Sequence, residues 1–187
     1  MKRIFKNDDW EELSKAGGIP HFGYYHPYRL PDGSRNPKFS EDRISGLILD
    51  VKDGKEKGLN FFFNALQPEI ESNVTICVVP SHEASDANTS GIAKLAKRLA
   101  SVDRIDKIDF LLRGKTISKL ATGGERSYQN QIDSIKVNPN MSVSGDVILL
   151  VDDVTTSGKS LQACRDILLE NGATRVAMFA LGESMRD

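Results

Sequence analysis

Few residues in this sequence suit metal or thiol chemistry. The 187-residue chain has 2 cysteines and 3 histidines. Cys77 and Cys164 each sit inside an apolar segment. Nothing near them supplies the roughly four closely paired ligands of a zinc site, so both read as buried thiols. His21 and His26 fall in a proline- and tyrosine-rich stretch with no ligand pattern. A charge excess is missing as well. The 25 Lys and Arg residues against 26 Asp and Glu leave a net charge of -1, which gives no general pull towards nucleic acid or an anionic membrane. Polyanion binding would need a local patch. The opening residues, MKRIFKNDDWEEL, hold no apolar signal-peptide core. The aliphatic run Val147–Val151 is far too short to cross a bilayer. Internal repeats and low-complexity linkers are also lacking. A soluble, cytoplasmic protein without a membrane segment is the expectation.

What is present is a chain long enough for one sizeable core, with 39% hydrophobic residues. Residues 1–36 look irregular. A short helix starts near Asp8-Asp9-Trp10 and stops at Gly17-Gly18, and the turn signal Pro31-Asp32-Gly33 suggests a β-hairpin over 22–39. Ser40 then caps a helix whose apolar face is Ile44, Leu47, Ile48 and Val51, and Gly54 ends it. Leu59, Phe62, Phe63 and Leu66 repeat that spacing up to Pro68; packing explains Phe61–Phe63 better than a ligand-binding aromatic box.

From residue 74 the pattern changes. VTICVV is short, continuous and β-branched, as in a strand buried on both faces. KIDFLL (107–112), VILLV (147–151) and RVAMFAL (175–181) are further strand candidates. Ile92, Leu95, Ala96 and Leu99 mark one intervening helix, and Leu161, Cys164, Ile167 and Leu168 another that ends at Asn171-Gly172. This alternation predicts an α/β fold: a parallel sheet flanked by helices. Residues 1–40 are expected to form an N-terminal hairpin or hood and 41–187 the α/β domain, together one globular unit. The polar stretch 113–146 is too long for an ordinary connection.

VDDVTTSGKS, residues 151–160, carries the chemistry. Its Gly158-Lys159-Ser160 end matches a Walker phosphate loop, but Asp153 stands where that loop needs its first glycine. The VILLV strand feeds this segment into a helix at the carboxyl edge of the sheet, where parallel sheets bind ligands. Thr156, Ser157, Gly158 and Ser160 at the helix start suit one phosphate, which the unpaired N–H groups and the helix dipole favour. Asp152 and Asp153 are acceptors, so they suit hydroxyl groups or a hydrated cation. A ribose 5-phosphate satisfies both halves. The bland alternative is a polar turn followed by an ordinary helix cap.

The same segment resembles the phosphoribosyl-pyrophosphate (PRPP) motif of type I phosphoribosyltransferases. That pattern is an apolar strand, D-D-V, a variable residue, T-T-G, a variable residue and T or S. Asp152, Asp153 and Val154 match, Thr155 is variable, Thr156-Ser157-Gly158 stand for T-T-G, Lys159 is variable and Ser160 closes the motif. LILDVKDGKEKGLNFFFNAL, CVVPSHEASDANTSGIAKLAKRLA and LLRGKTISKLATGGERSYQNQ are similar to segments of the ComF-like competence branch, the first through a Lys that follows an apolar helix and precedes a second one, the last through Arg113, Thr116, Arg126 and Asn130. The resemblance covers about residues 44–182. The N-terminal zinc-binding cysteine pairs of many ComF-like proteins are absent, and Asp86-Ala-Asn-Thr-Ser replaces the usual R-G-F-N run.

The resemblance implies Mg2+-dependent replacement of the pyrophosphate of PRPP by a nitrogen nucleophile, usually a nucleobase. Asp152 and Asp153 would position the ribose and, through water, the metal. Residues 154–160 would hold the 5-phosphate. Ser81 and His82, in the loop after VTICVV, would contact pyrophosphate through backbone amides; for the His82 side chain a structural role fits better. Arg113 and Lys115, with Lys119, Arg126 and Lys136, would put cations on a lid hinged at Gly123-Gly124. Phe22, Tyr24, Tyr25 and Tyr28 suit either base stacking or hairpin packing. Arg29 and Arg35 would favour nucleic acid, against which the balanced net charge argues. A homodimer stays open. The competing expectations are a non-catalytic PRPP- or nucleotide-binding module in a DNA-uptake or nucleotide-metabolism complex and, further off, a Walker-type NTPase.

Overall fold

A computed structural model of the chain describes residues 2–117 and 128–185. Its centre is a five-stranded, all-parallel sheet in the order β1-β7-β6-β2-β3. These strands are β1 (His21–Tyr25), β2 (Thr75–Val78), β3 (Ile105–Asp106), β6 (Val147–Thr155) and β7 (Arg175–Ser184). A separate antiparallel pair joins β4 (Leu111–Arg113) to β5 (Ile135–Val137). The helices are α1 (Asp8–Lys15), α2 (Pro37–Glu41), α3 (Arg43–Lys52), α4 (Glu56–Leu66), α5 (Gly91–Asp103), α6 (Tyr128–Ser134) and α7 (Lys159–Glu170). The expected α/β fold, a parallel sheet flanked by helices, is the one observed. Among the described residues, no helix is long and apolar enough to cross a membrane.

The sheet is covered on both faces, which explains the unbroken apolar strands. Successive side chains of β6 point to opposite sides. Leu149 and Val151 join the core under α3, α4 and α5, with Ile48, Phe62, Ile76, Leu95 and Phe179. Ile148 and Leu150 join the second core with Cys77, Leu161, Cys164, Leu168 and Met178. The same alternation carried to the end of β6 sends Asp153 towards the α3 side and Asp152 towards the α7 side. Ile4 and Phe5, from the N-terminal segment, are fully buried in the first core.

Four expectations are corrected. The hairpin over 22–39 gives way to β1 pairing in parallel with β7, His21 opposite Ala180; the turn at Pro31–Gly33 survives as a small loop closed by an Arg29–Arg35 bridge. Ser40 lies inside the short α2, and α3 is capped instead by Asp42, whose carboxylate accepts from Ile44 N at 2.9 Å and Ser45 Oγ at 2.6 Å. KIDFLL is not one strand, because the Asp106 side chain accepts from Ile108 N at 3.0 Å and folds a turn between β3 and β4. Finally, β6 does not stop at Val151. It runs to Thr155 in register with Glu183 of β7, so both aspartates sit in the strand.

Candidate active site

A cleft of about 290 Å3 opens at the carboxyl edge of the sheet. Asp152, Asp153 and Val154 reach it from the end of β6, and Thr156 and Ser160 from the turn into α7. Pro80, Ser81 and His82 form the facing wall after β2, and Ser90 and Ile92 come from the start of α5. Two helix N-termini, those of α5 and α7, therefore face one cavity, an arrangement that favours an anionic ligand. Ser90 caps α5 by accepting from Ala93 N at 3.4 Å. At α7 the N-cap is Gly158, which supplies no side-chain acceptor. Gly158 has φ +71°, and a Cβ there would stand 2.8 Å from Ile19 Cδ1. The left-handed turn favours glycine, and a larger residue would also have to displace the Ile19 methyl.

The acidic pair is not electrostatically isolated. Lys52, the last residue of α3, enters the cleft and places its Nζ 2.9 Å from Asp153 Oδ2. Burial disfavours the charge on Lys52, but Asp153 and, more weakly, Asp152 outweigh it and hold the ammonium above its ordinary pKa. The same ammonium lies 5.7 Å from the centre of the Tyr25 ring. The backbone N–H of Asp153 donates to Asp152 Oδ1 at 2.8 Å, which orients that carboxylate.

Arg113 lines the cleft yet is only 2% exposed. Its Nε donates to the Ser81 carbonyl at 2.8 Å and one terminal nitrogen to the Pro80 carbonyl at 3.1 Å. The same terminal nitrogen also donates to Gln131 Oε1 at 3.3 Å, and the other donates to Ser134 Oγ. Arg113 thus fastens the proline loop from beneath instead of standing on a lid. Further ties are Ala84 N to Thr116 Oγ1 at 3.0 Å and Ile117 N to the His82 carbonyl at 2.9 Å.

Eight of the sequence-predicted site residues line the cleft: Asp152, Asp153, Val154, Thr156, Ser160, Ser81, His82 and Arg113. Thr155 is buried in β6, and Ser157, Lys159 and Lys115 are exposed outside the cleft lining. Lys136 is paired with Asp86 at 2.8 Å on the surface. Lys119, Gly123, Gly124, Glu125 and Arg126 of the expected lid lie outside the described residues. Tyr24 and Tyr28 are exposed; Tyr28 packs edge-on against Phe39 and carries Arg29 and Arg35 near its face. Phe22 packs against Phe61 and Phe62, which assigns it to the core. Lys52 also lines the cleft, a position the spacing did not single out. Its one sequence signal is its place at the end of an apolar helix.

No protein-family model matches the chain, and no curated protein matches it. Solved structures do. A hypoxanthine phosphoribosyltransferase from Staphylococcus aureus is 12% identical, covers 75% of this chain and 76% of its own, and superposes with a TM-score of 0.43. A purine phosphoribosyltransferase from Pyrococcus horikoshii is 12% identical over 72% of this chain and 83% of its own, with a TM-score of 0.38. The Trypanosoma cruzi hypoxanthine enzyme is 10% identical over 77% and 76%, with a TM-score of 0.37.

Proposed function

We propose that this protein is a PRPP-dependent phosphoribosyltransferase of the type I kind, in its ComF-like branch, which transfers the phosphoribosyl group to a nitrogen base and releases pyrophosphate. One observation carries this: the acidic pair at the end of β6 shares a cleft with the small hydroxyl residues that start α7. Such a site offers acceptors for vicinal hydroxyls and donors for a phosphate, a few residues apart.

Each part of the chain has a task in that reaction. The first-turn N–H groups of α7, with the hydroxyls of Thr156 and Ser160, hold the 5-phosphate. Asp152 and Asp153 accept from the ribose hydroxyls. The Pro80–His82 loop, held in shape by Arg113, supplies backbone donors beside the leaving group. The anomeric C–O bond breaks with its electron pair going to pyrophosphate, and a nitrogen lone pair forms the new C–N bond while its proton passes to solvent. Fixing both reactants and stabilising the departing charge are the catalytic contributions.

The residues present also fit Mg2+. Among the described residues there is no group of three or more His, Cys, Asp or Glu side chains that would cage a metal. Mg2+ does not need one, because it keeps several waters and is held by one or two carboxylates together with substrate phosphates. Asp152 and Asp153 would hold it through water. When bound it acts as a Lewis acid that neutralises charge on the leaving group.

Calorimetry with PRPP tests the proposal, with and without Mg2+, on the native chain and on Asp152→Asn/Asp153→Asn. Mg2+-dependent binding that the double variant loses is expected, followed by base-dependent pyrophosphate release. A folded native chain indifferent to PRPP overturns the proposal. Binding without release under any base points to the non-catalytic module.

A further inference from the structure

Lys52 has a position that the reaction scheme above does not use. It ends α3, a helix anchored on the sheet by the fully buried Ile48 and Val51. The backbone behind it is pinned: a Cβ on Gly91 would fall 1.6 Å from the Val51 carbonyl oxygen, so α3 and α5 touch at this point without room for a side chain. From that fixed base the flexible side chain reaches Asp153, with 32% of the lysine side chain and 26% of the aspartate side chain still exposed to the cleft. Lys52 and the Ser81–His82 loop line the same cavity. The ammonium thus extends from closely packed backbone and shares one cavity with both the acidic pair and the loop assigned to pyrophosphate.

A lysine ammonium and a hydrated divalent cation are rivals for one carboxylate. Both are compact positive charges, and their simultaneous approach to Asp153 would set like charges against each other. A pyrophosphate brings several anionic oxygens, for which an ammonium is a strong charge-assisted donor. We propose that Lys52 is an exchangeable counter-ion: it competes with the divalent cation for Asp153, and the pyrophosphate of an incoming PRPP draws it away, so that metal and PRPP bind with positive coupling. This role rests on the proposed PRPP function. Its consequence is reciprocal, since whatever PRPP does to metal affinity the metal does to PRPP affinity.

The test uses Lys52→Met and Lys52→Arg in the full chain, with Mn2+ as the probe, read by electron paramagnetic resonance, and PRPP read by calorimetry. Lys52→Met is expected to bind Mn2+ alone about tenfold more tightly and Mg2+–PRPP about tenfold more weakly, each shift being a tenfold change in an equilibrium constant. Lys52→Arg keeps the charge and is expected to restore weak Mn2+ binding and most of the PRPP affinity. A lysine that merely holds the fold together gives no gain in metal affinity when it is removed. Unchanged or weaker Mn2+ binding by Lys52→Met, with PRPP binding by the native chain intact, overturns the role of Lys52 alone. Indifference of the native chain to PRPP overturns the phosphoribosyl function itself.

Discussion

The guanidinium of Arg113 donates to the Ser81 carbonyl at 2.8 Å and to the Pro80 carbonyl at 3.1 Å from a position almost wholly buried. A charged side chain so placed is an internal brace. Removing it leaves two carbonyls and the buried side chains of Gln131 and Ser134 without their donor. Arg113→Met is expected to cost about 3 kcal/mol in urea unfolding. Lysine would not rescue it, because one ammonium cannot reproduce a planar fork with several fixed directions. The local signature is hydrogen exchange. The amides of Ser85, bonded to the Arg113 carbonyl, and Ile117, bonded to the His82 carbonyl, are expected to exchange faster in the variant. Unaltered exchange at both would show that the loop keeps its shape without the brace.

Glu11 and Arg175 form a buried charge pair, at 2.8 Å, with the carboxylate also accepting from the backbone of Ile4 and Phe5. Burial alone would raise the Glu11 pKa. Arg175 and the two N–H groups outweigh it and bring the value down to about 2. The folded-state pKa is therefore below the ordinary glutamate value of about 4.3. The stabilisation is complete above that ordinary value and is lost as pH falls towards about 2. Its size is on the order of 3 kcal/mol. Urea midpoints measured across pH 2–5 in the native chain and in Glu11→Gln check this. The acid-side loss should be smaller in the variant, which starts less stable at neutral pH because Arg175 stays buried without its anion.

The sheet was legible because a strand buried on both faces has no polar alternation to confuse it, and VTICVV, VILLV and RVAMFAL each show that. The acidic motif was legible because its residues are consecutive. What the sequence hid depends on three-dimensional pairing. The end of β6 read as a loop because two aspartates usually end a strand; here the ladder to β7 continues through Asp152, Val154 and Thr155 and keeps them extended. Arg113 looked like a lid cation since nothing in LLRGK tells that Pro80 and Ser81 lie within reach. Lys52 is 101 positions from Asp153, and only the packing of α3 on the sheet brings them together. The edge strand β1 was misjudged for the same reason, as its partner is the far end of the chain.

Two glycines should respond in opposite ways. A methyl on Gly91 would overlap the Val51 carbonyl oxygen at 1.6 Å, a backbone atom, with no flexible group to yield. Gly91→Ala is expected to lose about 3 kcal/mol, and to displace the end of α3 on which Lys52 stands. Gly46 lies inside α3, and a methyl added there would meet nothing within 4 Å. Gly46→Ala is expected to gain about 0.5–1 kcal/mol from helix propensity alone. Thermal melts of the two variants beside the native chain decide the matter; a Gly91→Ala protein as stable as the native would mean that α3 and α5 separate cheaply.

The two cysteines give an independent reading of the core. Cys77 on β2 and Cys164 on α7 are both 0% exposed, and they belong to the same apolar cluster. Burial pushes both thiols well above the ordinary cysteine range, and no nearby cation is strong enough to reverse it. The thiolate is the reactive form, so neither should react with a disulfide reagent at pH 8 while the sheet is closed. Labelling is expected to follow global unfolding, with both thiols appearing together and the rate rising with urea in step with the loss of structure. Since Cys77 lies on the strand that leads into the Ser81–His82 loop and Cys164 on the helix that starts at Gly158, prompt labelling of one thiol in native buffer would identify which wall of the cleft opens by itself.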